Sequence, residues 1–332
     1  MEKITNPHDR FFKDVFTRKD AARDFLSNYL PPDLLDHIDL DTLEILKDSF
    51  VNEDLREYFS DLLYKVSISG RSLYVYLLFE HKSHPEKRVS LQLLSYLQRI
   101  WDLQLRQQGM PLSVVIPIVF YHGREKWALK NDLLHLFSLP DDRFSEYVPD
   151  FKYIFVDLSL YPDEAIKGAI LNRVALLLLK HVFNPDFREK LPRIFSLLRK
   201  LLEKETGIQY LETVLRYVFN TAEGITAEGL KEIVEGVLSK KEGDVVMTLA
   251  EEIRNEGIQQ GIQQGIQQGI QQGILEGLLE GIELGIGLKF GAPGVNLMPA
   301  IRQIKDPERL KAIKEAVKIG ESIDEIRQVI SG

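Results

Sequence analysis

The chain has 332 residues, of which 44% are hydrophobic and 28% charged, as in a soluble globular protein of about two domains. It contains no cysteine, which excludes disulfides, thiolate metal sites and cysteine nucleophiles and favours a reducing, cytoplasmic setting. The formal net charge of −8 taken alone disfavours a nucleic-acid partner. Because no apolar run approaches the roughly 20 residues that span a bilayer and the N-terminus lacks a signal-peptide core, we expect no membrane partner.

In chain order, the hydrophobic pattern predicts an α/β domain over residues 1–160. It begins with a helix whose apolar stripe contains Phe11 and Phe16, and after Pro31-Pro32 it continues with a loop rich in Asp. Short apolar runs bounded by Pro, Gly and Asp then predict strands, and one longer periodic segment predicts a helix. The predicted strands cover residues 61–69, 72–82, 114–121 and 153–158, and the predicted helix covers residues 89–107.

Beyond residue 160 the pattern is almost wholly helical. An all-α region is predicted over residues 161–245, with helices over 171–183, 191–202, 208–219 and 226–238. Residues 246–290 form a third segment, a predicted helix with a Gly-Ile-Gln-Gln repeat whose glycines recur at every fourth position from 257 to 285. A small helical segment over residues 291–332 follows.

The most informative segment is the pair of predicted strands on either side of Gly70-Arg71. If these two residues form a hairpin loop, Leu62 lies opposite Phe79 and Asp61 lies opposite Glu80. One face of the hairpin is then entirely apolar, whereas a slip of one residue would scramble both faces. Directly opposed residues have Cβ atoms about 4.5 to 5.5 Å apart, and Lys82 projects to the same face as Glu80 at a spacing of about 6 to 7 Å.

Two carboxylates at this separation repel each other unless a cation lies between them. A divalent, oxygen-seeking ion such as Mg²⁺ or Mn²⁺ meets that need, and the Lys82 ammonium can orient a metal-bound water and offset charge developing on a phosphate. The arrangement is that of metal-assisted phosphodiester hydrolysis. The geometry of a hairpin also allows a simpler interpretation, in which Asp61 and Glu80 are solvated surface groups that Lys82 screens.

These residues resemble a known signature. Asp61, a two-strand interval, and Glu80-x-Lys82 followed by a helix resemble the Asp…(Asp/Glu)-x-Lys pattern of the PD-(D/E)XK nuclease superfamily. More closely, several segments in the right order resemble the bacterial Rpn family of recombination-promoting nucleases, also called YhgA-like transposases, over most of residues 1–180. These segments are HDRFFK from His8, DLLYKV from Asp61, FEHKS from Phe79, and IPIVFYHG from Ile116 with Trp127.

The resemblance implies a restriction-endonuclease-like fold, a mixed sheet flanked by helices, in residues 1–160. It also implies a magnesium-dependent DNA endonuclease, associated with recombination or mobile elements, in which Asp61 and Glu80 are metal ligands and Lys82 is the catalytic lysine. Family members often carry Gln at the position of Lys82, so this chain keeps the fuller superfamily triad, although Ser60 stands where the superfamily pattern has proline. Gln92, near the start of the following helix, is the polar residue that we expect to support the site, and an ordinary solvated helix face is the alternative.

An alternative function comes from a different class. The chain could be a catalytically silent scaffold, derived from a nuclease, that serves as a nucleic-acid or protein interaction module through its helical and repeat regions. The complete set of Asp61, Glu80 and Lys82 favours the enzyme.

Charge is distributed unevenly along the chain. Residues 1–61 carry a net charge of −7, whereas residues 62–130 carry +6, so a basic block begins directly after Asp61. Lys87, Arg88, Arg99 and Arg106 are candidate phosphate contacts within this block, although each alone is more often an ordinary surface charge. Because of this basic block we expect DNA as the partner, although the net charge of the whole chain taken alone disfavours it.

The histidines near this site give a weaker signal. His81, His84 and His122 suggest zinc, but their spacing does not form a compact ligand set. His8 and Asp9 lie where an N-terminal helix could approach the site, and we expect them instead to cap that helix.

The repeat predicts association between chains. A period of four exceeds the 3.6 residues of a helical turn, so the glycine and isoleucine stripes advance ~40° per repeat. Eight glycines weaken an isolated helix by roughly 8 kcal/mol relative to alanine, while glycine at every fourth position lets another helix approach closely in right-handed winding. We expect a homo-oligomer formed through the repeat helix, and a flexible spacer is the alternative.

Overall fold

The computed structural model describes residues 6–46, 62–68, 74–107, 109–202, 205–222 and 224–331. Three helices precede the first strand: α1 (Pro7–Phe16), α2 (Lys19–Tyr29) and α3 (Pro32–Leu35). The strands are β1 (Ile38–Ile45), β2 (Leu62–Ile68), β3 (Tyr74–Lys82), β4 (Val114–Tyr121) and β5 (Ile154–Asp157), with helix α4 (Val89–Gln107) between β3 and β4.

The helices that follow are α5 (Ile170–His181), α6 (Phe187–Leu198), α7 (Glu205–Thr221), α8 (Ala227–Val237), α9 (Lys240–Val295), α10 (Met298–Ile301), α11 (Pro307–Ile319) and α12 (Ile323–Ser331). The predicted helices of residues 161–245 are therefore confirmed in number and order, and their ends differ by a few residues. In the part of the chain that the structure describes, no helix has the length and apolar character that crossing a bilayer requires.

The five strands form one mixed sheet in the order β1-β2-β3-β4-β5. The pairs β1–β2 and β2–β3 are antiparallel, whereas β3–β4 and β4–β5 are parallel. Helix α4 makes the crossover that a parallel β3–β4 pair requires. The carboxyl ends of β3, β4 and β5 consequently lie at the same edge of the sheet.

The predicted hairpin register is confirmed wherever the structure describes both strands. The pairs run without a shift from Leu62 opposite Phe79 to Ser67 opposite Tyr74. Alternation explains the register, because the even-numbered residues of β2 from Leu62 to Val66 are buried in one apolar face. Asp61 and the Gly70-Arg71 loop lie outside the described residues, so the opposition of Asp61 and Glu80 stays a prediction.

The Asp-rich segment after Pro31-Pro32 is not simply a loop, as the sequence had suggested. It contains the short helix α3 and the edge strand β1, which pairs with β2. The strand is hard to recognise because acidic residues interrupt its apolar positions and because its register shifts between Asp39 and Glu44. Ile38 and Leu43 are nevertheless buried.

Apolar side chains cover both faces of the sheet. On one face, the aromatic rings of α1 and α2 pack against β2, β3 and β4, for example Phe12 against Phe79 at 4.8 Å between ring centroids. On the other face, Leu93 and Leu97 of α4 belong to a smaller cluster with Val119 and Tyr121 of β4. The helix predicted over residues 89–107 thus covers this face of the sheet. Residues that alternate along β3 therefore enter two different environments.

The chain divides into two compact units, residues 1–253 and 254–332. In the second unit, Ile282, Ile286, Leu310 and Ile313 belong to a separate apolar core. The Gly-Ile-Gln-Gln repeat is helical and lies within α9, and Gly291 (φ 60°, ψ −148°), the first residue of the predicted C-terminal segment, interrupts that helix. The proposed four-part domain division stays a prediction.

Candidate functional site

Glu80 and Lys82 stand two residues apart at the carboxyl end of β3, so both side chains project to the face that α4 covers. His81 between them projects to the opposite face, where its ring stacks on Phe12. Glu80 is 1% exposed, and the side chain of Lys82 is 15% exposed. Strand β3 thus carries a deeply buried carboxylate, Glu80, and a partly exposed lysine, Lys82, at its carboxyl end.

Gln92 joins these two groups from the first turns of α4. The Lys82 ammonium lies 2.7 Å from Oε1 of Glu80 and donates a 2.9 Å hydrogen bond to Oε1 of Gln92. The Gln92 amide nitrogen donates to Oε1 of Glu80 at 2.9 Å. Since an ammonium only donates and a carboxylate only accepts, these two neighbours fix which end of the Gln92 amide carries the oxygen. The structure therefore brings together Glu80, Lys82 and Gln92, three of the predicted site residues.

The second oxygen of Glu80, Oε2, is buried and has no hydrogen-bond partner among the described residues. A buried carboxylate oxygen without a partner is costly, and hard divalent cations bind such oxygens. The site therefore fits an oxygen-seeking metal ion at Oε2, the oxygen that neither Lys82 nor Gln92 contacts. Within the described ranges no three His, Asp or Glu side chains gather as a metal-binding group, and Asp61, the other predicted ligand, lies outside those ranges.

The sequence analysis missed Tyr96, which belongs to the same network. The Gln92 amide nitrogen also donates a 2.7 Å hydrogen bond to the Tyr96 hydroxyl, and Tyr96 is buried. One signal was available, because Tyr96 follows Gln92 by four residues and so lies on the same face of α4. An aromatic residue at that spacing is, however, the usual pattern of a helix core position.

The four predicted phosphate contacts do not form one patch. Lys87 and Arg88 are exposed in the loop between β3 and α4, next to the site. Arg99 is half-buried in α4, and Arg106 is exposed near its C-terminus, about 27 Å along the helix axis from Arg88. Only Lys87 and Arg88 therefore share the end of the sheet where Glu80 and Lys82 lie.

Three histidines pack together on the opposite face of the sheet. The rings of His81 and His122 stack at 4.8 Å between centroids, and His8 lies 5.5 Å from His122. Burial lowers the pKa of His8 to about 4 and that of His122 to about 3, while the pKa of His81 also falls well below its usual range. His84 is exposed and apart from this group. We therefore describe the three rings as a packed aromatic layer of neutral imidazoles.

The expected capping role of His8 and Asp9 is wrong. Asn6 caps α1 by accepting a 3.1 Å hydrogen bond from the Asp9 backbone N–H. His8 instead shares a 2.9 Å hydrogen bond with the hydroxyl of Tyr217, and Asp9 forms an ion pair with Lys13. Asn6 is the better cap because its short side chain reaches the backbone N–H three residues ahead.

Comparison with known proteins gives consistent similarities. Residues 6–209 match the model of a protein family described as "Putative transposase, YhgA-like". The chain is 29% identical over 262 residues to recombination-promoting nuclease RpnA of Escherichia coli strain K12, covering 78% of this chain and 87% of that protein. It is 30% identical to recombination-promoting nuclease RpnC of the same strain over 258 residues, covering 77% of this chain and 83% of RpnC.

A further relative has a name that describes it as inactive. The chain is 31% identical over 257 residues to inactive recombination-promoting nuclease-like protein RpnE of the same strain, covering 77% of this chain and 84% of that protein. No solved structure matches this chain.

Proposed function

Because the chain belongs to the YhgA-like transposase family, we propose that it is a Mg²⁺-dependent DNA endonuclease that hydrolyses phosphodiester bonds in recombination or mobile-element processes. Relatives named recombination-promoting nucleases make the family nuclease-related and recombination-related. The observation that carries the proposal is the buried Glu80 carboxylate, with one oxygen held by Lys82 and Gln92 and the other without a partner.

In this proposal Glu80 Oε2 and Asp61 hold Mg²⁺, with Mn²⁺ as a substitute. The metal ion would supply Lewis acidity and a water molecule of lowered pKa. Lys82 holds a positive charge at the mouth of the site, where negative charge develops on the phosphate being cleaved. Gln92 fixes the direction of both side chains, so that the Lys82 ammonium and Glu80 keep their relative positions.

A silent scaffold is the second candidate, favoured by the similarity to a relative that is named inactive. A scaffold would bind its nucleic-acid or protein partner but would not cleave DNA, so nicking activity distinguishes the two candidates. The chain retains Asp61, Glu80 and Lys82, which favours the enzyme.

Nicking of a supercoiled plasmid in Mg²⁺, with EDTA as the blank, tests the proposal. We expect the wild type to nick and the variants Asp61→Ala, Glu80→Gln and Lys82→Ala to lose activity. Lys200→Ala, at an exposed lysine that follows α6, is the matched control and should nick like the wild type. Equal nicking by all five proteins would mean contamination, and no nicking by the wild type would favour the scaffold.

The repeat helix supports a second part of the proposal, self-association of the chain. Five isoleucines of the repeat, Ile258, Ile262, Ile266, Ile270 and Ile274, are 46–58% exposed. Exposed apolar stripes of this length are typical of helix contacts between chains. Light scattering of a variant that lacks residues 255–287 tests this part, since an unchanged mass would exclude association through the repeat.

A further inference from the structure

Two loops lie side by side at the edge of the sheet where the site opens. The first joins β3 to α4, and the second follows β4. Two contacts join them where they leave the sheet: the His122 backbone N–H donates to the carbonyl of Lys82 at 3.2 Å, and Gly123 packs tightly on Ser83. Further along, the hydroxyl of Ser90, the second residue of α4, donates to the carbonyl of Asp132 in the second loop at 2.8 Å.

Four exposed cations lie within the first six residues after β3 and after β4. Lys87 and Arg88 belong to the first loop, and Arg124 and Lys126 belong to the second. None of the four makes an ion pair with a carboxylate that the structure describes, although two acidic residues, Glu86 and Glu125, lie in the same two stretches. Glu86 accepts a 3.0 Å hydrogen bond from the Arg88 backbone N–H. The side chains of four cations thus remain available to an external anion.

The four cations are close to the proposed reaction centre. Lys82 is paired with Tyr121 in the parallel β3–β4 ladder, and Arg124 follows Tyr121 by three residues. Three residues of chain span at most about 10 Å, so Arg124 lies within a few phosphate spacings of this edge, at 3.4 Å of axis per phosphate of one strand. Four exposed cations near one edge suit an anion that carries several charges along its length better than a single small anion.

We propose that Lys87, Arg88, Arg124 and Lys126 form one surface that binds the sugar-phosphate backbone of duplex DNA and directs one strand toward Glu80 and Lys82. The proposal rests on the proposed function, because it concerns the substrate of the same site. It assigns DNA binding to Arg124 and Lys126 and separates Arg106, far along α4, from that role. Contacts of this kind supply affinity without sequence preference.

The experiment measures DNA binding apart from cleavage. Fluorescence anisotropy of a labelled 30-base-pair duplex is recorded over a series of salt concentrations, with the wild type in EDTA and with Lys82→Ala in Mg²⁺. The double variant Arg124→Gln/Lys126→Gln is compared with Lys200→Gln/Lys240→Gln, two exposed lysines in the helical part of the first unit. Thermal melting confirms that each variant is folded.

We expect the Arg124→Gln/Lys126→Gln protein to bind at least about tenfold more weakly and its log–log salt slope to fall in magnitude by about 2, because each lost phosphate contact removes about 0.9. The control double variant should match the wild type. Equal affinity and slope in all proteins, or binding of duplex RNA but not DNA, would overturn the surface. A wild type that binds through this surface yet never nicks would overturn the endonuclease and leave the surface standing.

Discussion

The side-chain amide of Gln92 donates a 2.9 Å hydrogen bond to the same Glu80 oxygen that the Lys82 ammonium contacts at 2.7 Å. Glu80 Oε1 is therefore saturated, and its partners hold the carboxylate in one orientation, with Oε2 left without a hydrogen-bond partner among the described residues. A carboxylate fixed in this way is prepared for a ligand that binds only Oε2.

Replacing Gln92 by alanine should lower the nicking rate about 10- to 100-fold, the usual effect of removing a residue that orients a metal ligand. Protein stability should fall by about 1 to 3 kcal/mol, because the change removes the hydrogen bonds that Gln92 makes to the buried Glu80 and Tyr96. The control is Gln98→Ala, at an exposed position six residues further along α4. Equal rates for Gln92→Ala and Gln98→Ala would show that Glu80 and Lys82 do not need this amide.

Tyr96→Phe should lower the nicking rate about fivefold, which corresponds to about 1 kcal/mol, the net worth of one hydrogen bond. The hydroxyl is lost while the ring keeps its packing in α4, so the melting temperature should stay close to that of the wild type. Tyr147→Phe, at an 83% exposed tyrosine, is the matched control. A melting temperature that falls together with the rate would assign Tyr96 to stability alone.

Gly123→Ala should destabilise the fold by about 1 to 3 kcal/mol. An added Cβ would lie 2.3 Å from the Ser83 carbonyl oxygen, which is backbone and moves only with its loop. Gly236→Ala, in helix α8, is the matched control, because nothing lies within 4 Å of a Cβ added there. This change should raise stability by about 0.5 to 1 kcal/mol. Urea denaturation of both variants measures the two effects, and equal midpoints would contradict the contact.

Acid should destabilise the protein through its buried histidines. Burial holds the pKa of His8 at about 4 and that of His122 at about 3, whereas an unfolded histidine titrates near 6.5. Between pH 6.5 and about 4 the unfolded chain therefore binds more protons than the folded one, so stability falls as the pH falls through this window and is constant above it.

Urea denaturation midpoints at several pH values check this dependence. His122→Phe keeps a ring in the aromatic layer but removes one titrating group, so its midpoint should vary less with pH below 6.5 than the midpoint of the wild type. Parallel curves for the two proteins would assign the acid sensitivity to other groups.

The glycines of the repeat distinguish a free helix from an associating one. Nothing within the chain lies within 4 Å of a Cβ added at Gly261, Gly265 or Gly269. In an isolated helix the triple change to alanine should raise stability by about 2 to 3 kcal/mol. In a close contact between chains the same change should reduce the mass measured by light scattering, which is the result we expect. An unchanged mass with a raised melting temperature would contradict association through the glycines.

Much of the sheet could be predicted because its inner strands are short apolar runs with clear ends and because the hairpin strands and α4 have regular apolar periods. Val114–Tyr121 and Val89–Gln107 have the predicted bounds, and the hairpin register follows from the single arrangement that places Leu62 and Phe79 on one apolar face. Strand β1 was missed because acidic residues and a register shift weaken its alternation. Periodicity reports burial, and an edge strand is buried only in part.

The candidate site shows the same division. Glu80, Lys82 and Gln92 could be selected from spacing because strand and helix geometry fix their separation. Tyr96 and the loop cations Arg124 and Lys126 depend on tertiary contacts, namely a hydroxyl pointing at an amide and two loops fastened to each other. No local pattern encodes contacts of that kind.

The hydrogen bond from His122 to the main chain of Lys82 has a mechanical consequence. Lys82 carries the ammonium of the site, and His122 is the first residue of the loop that bears Arg124. In the proposed DNA complex, a force that a bent or sliding duplex exerts on that loop would act through this 3.2 Å hydrogen bond on the backbone of the lysine. Binding of the strand and orientation of the Lys82 ammonium would then be mechanically coupled.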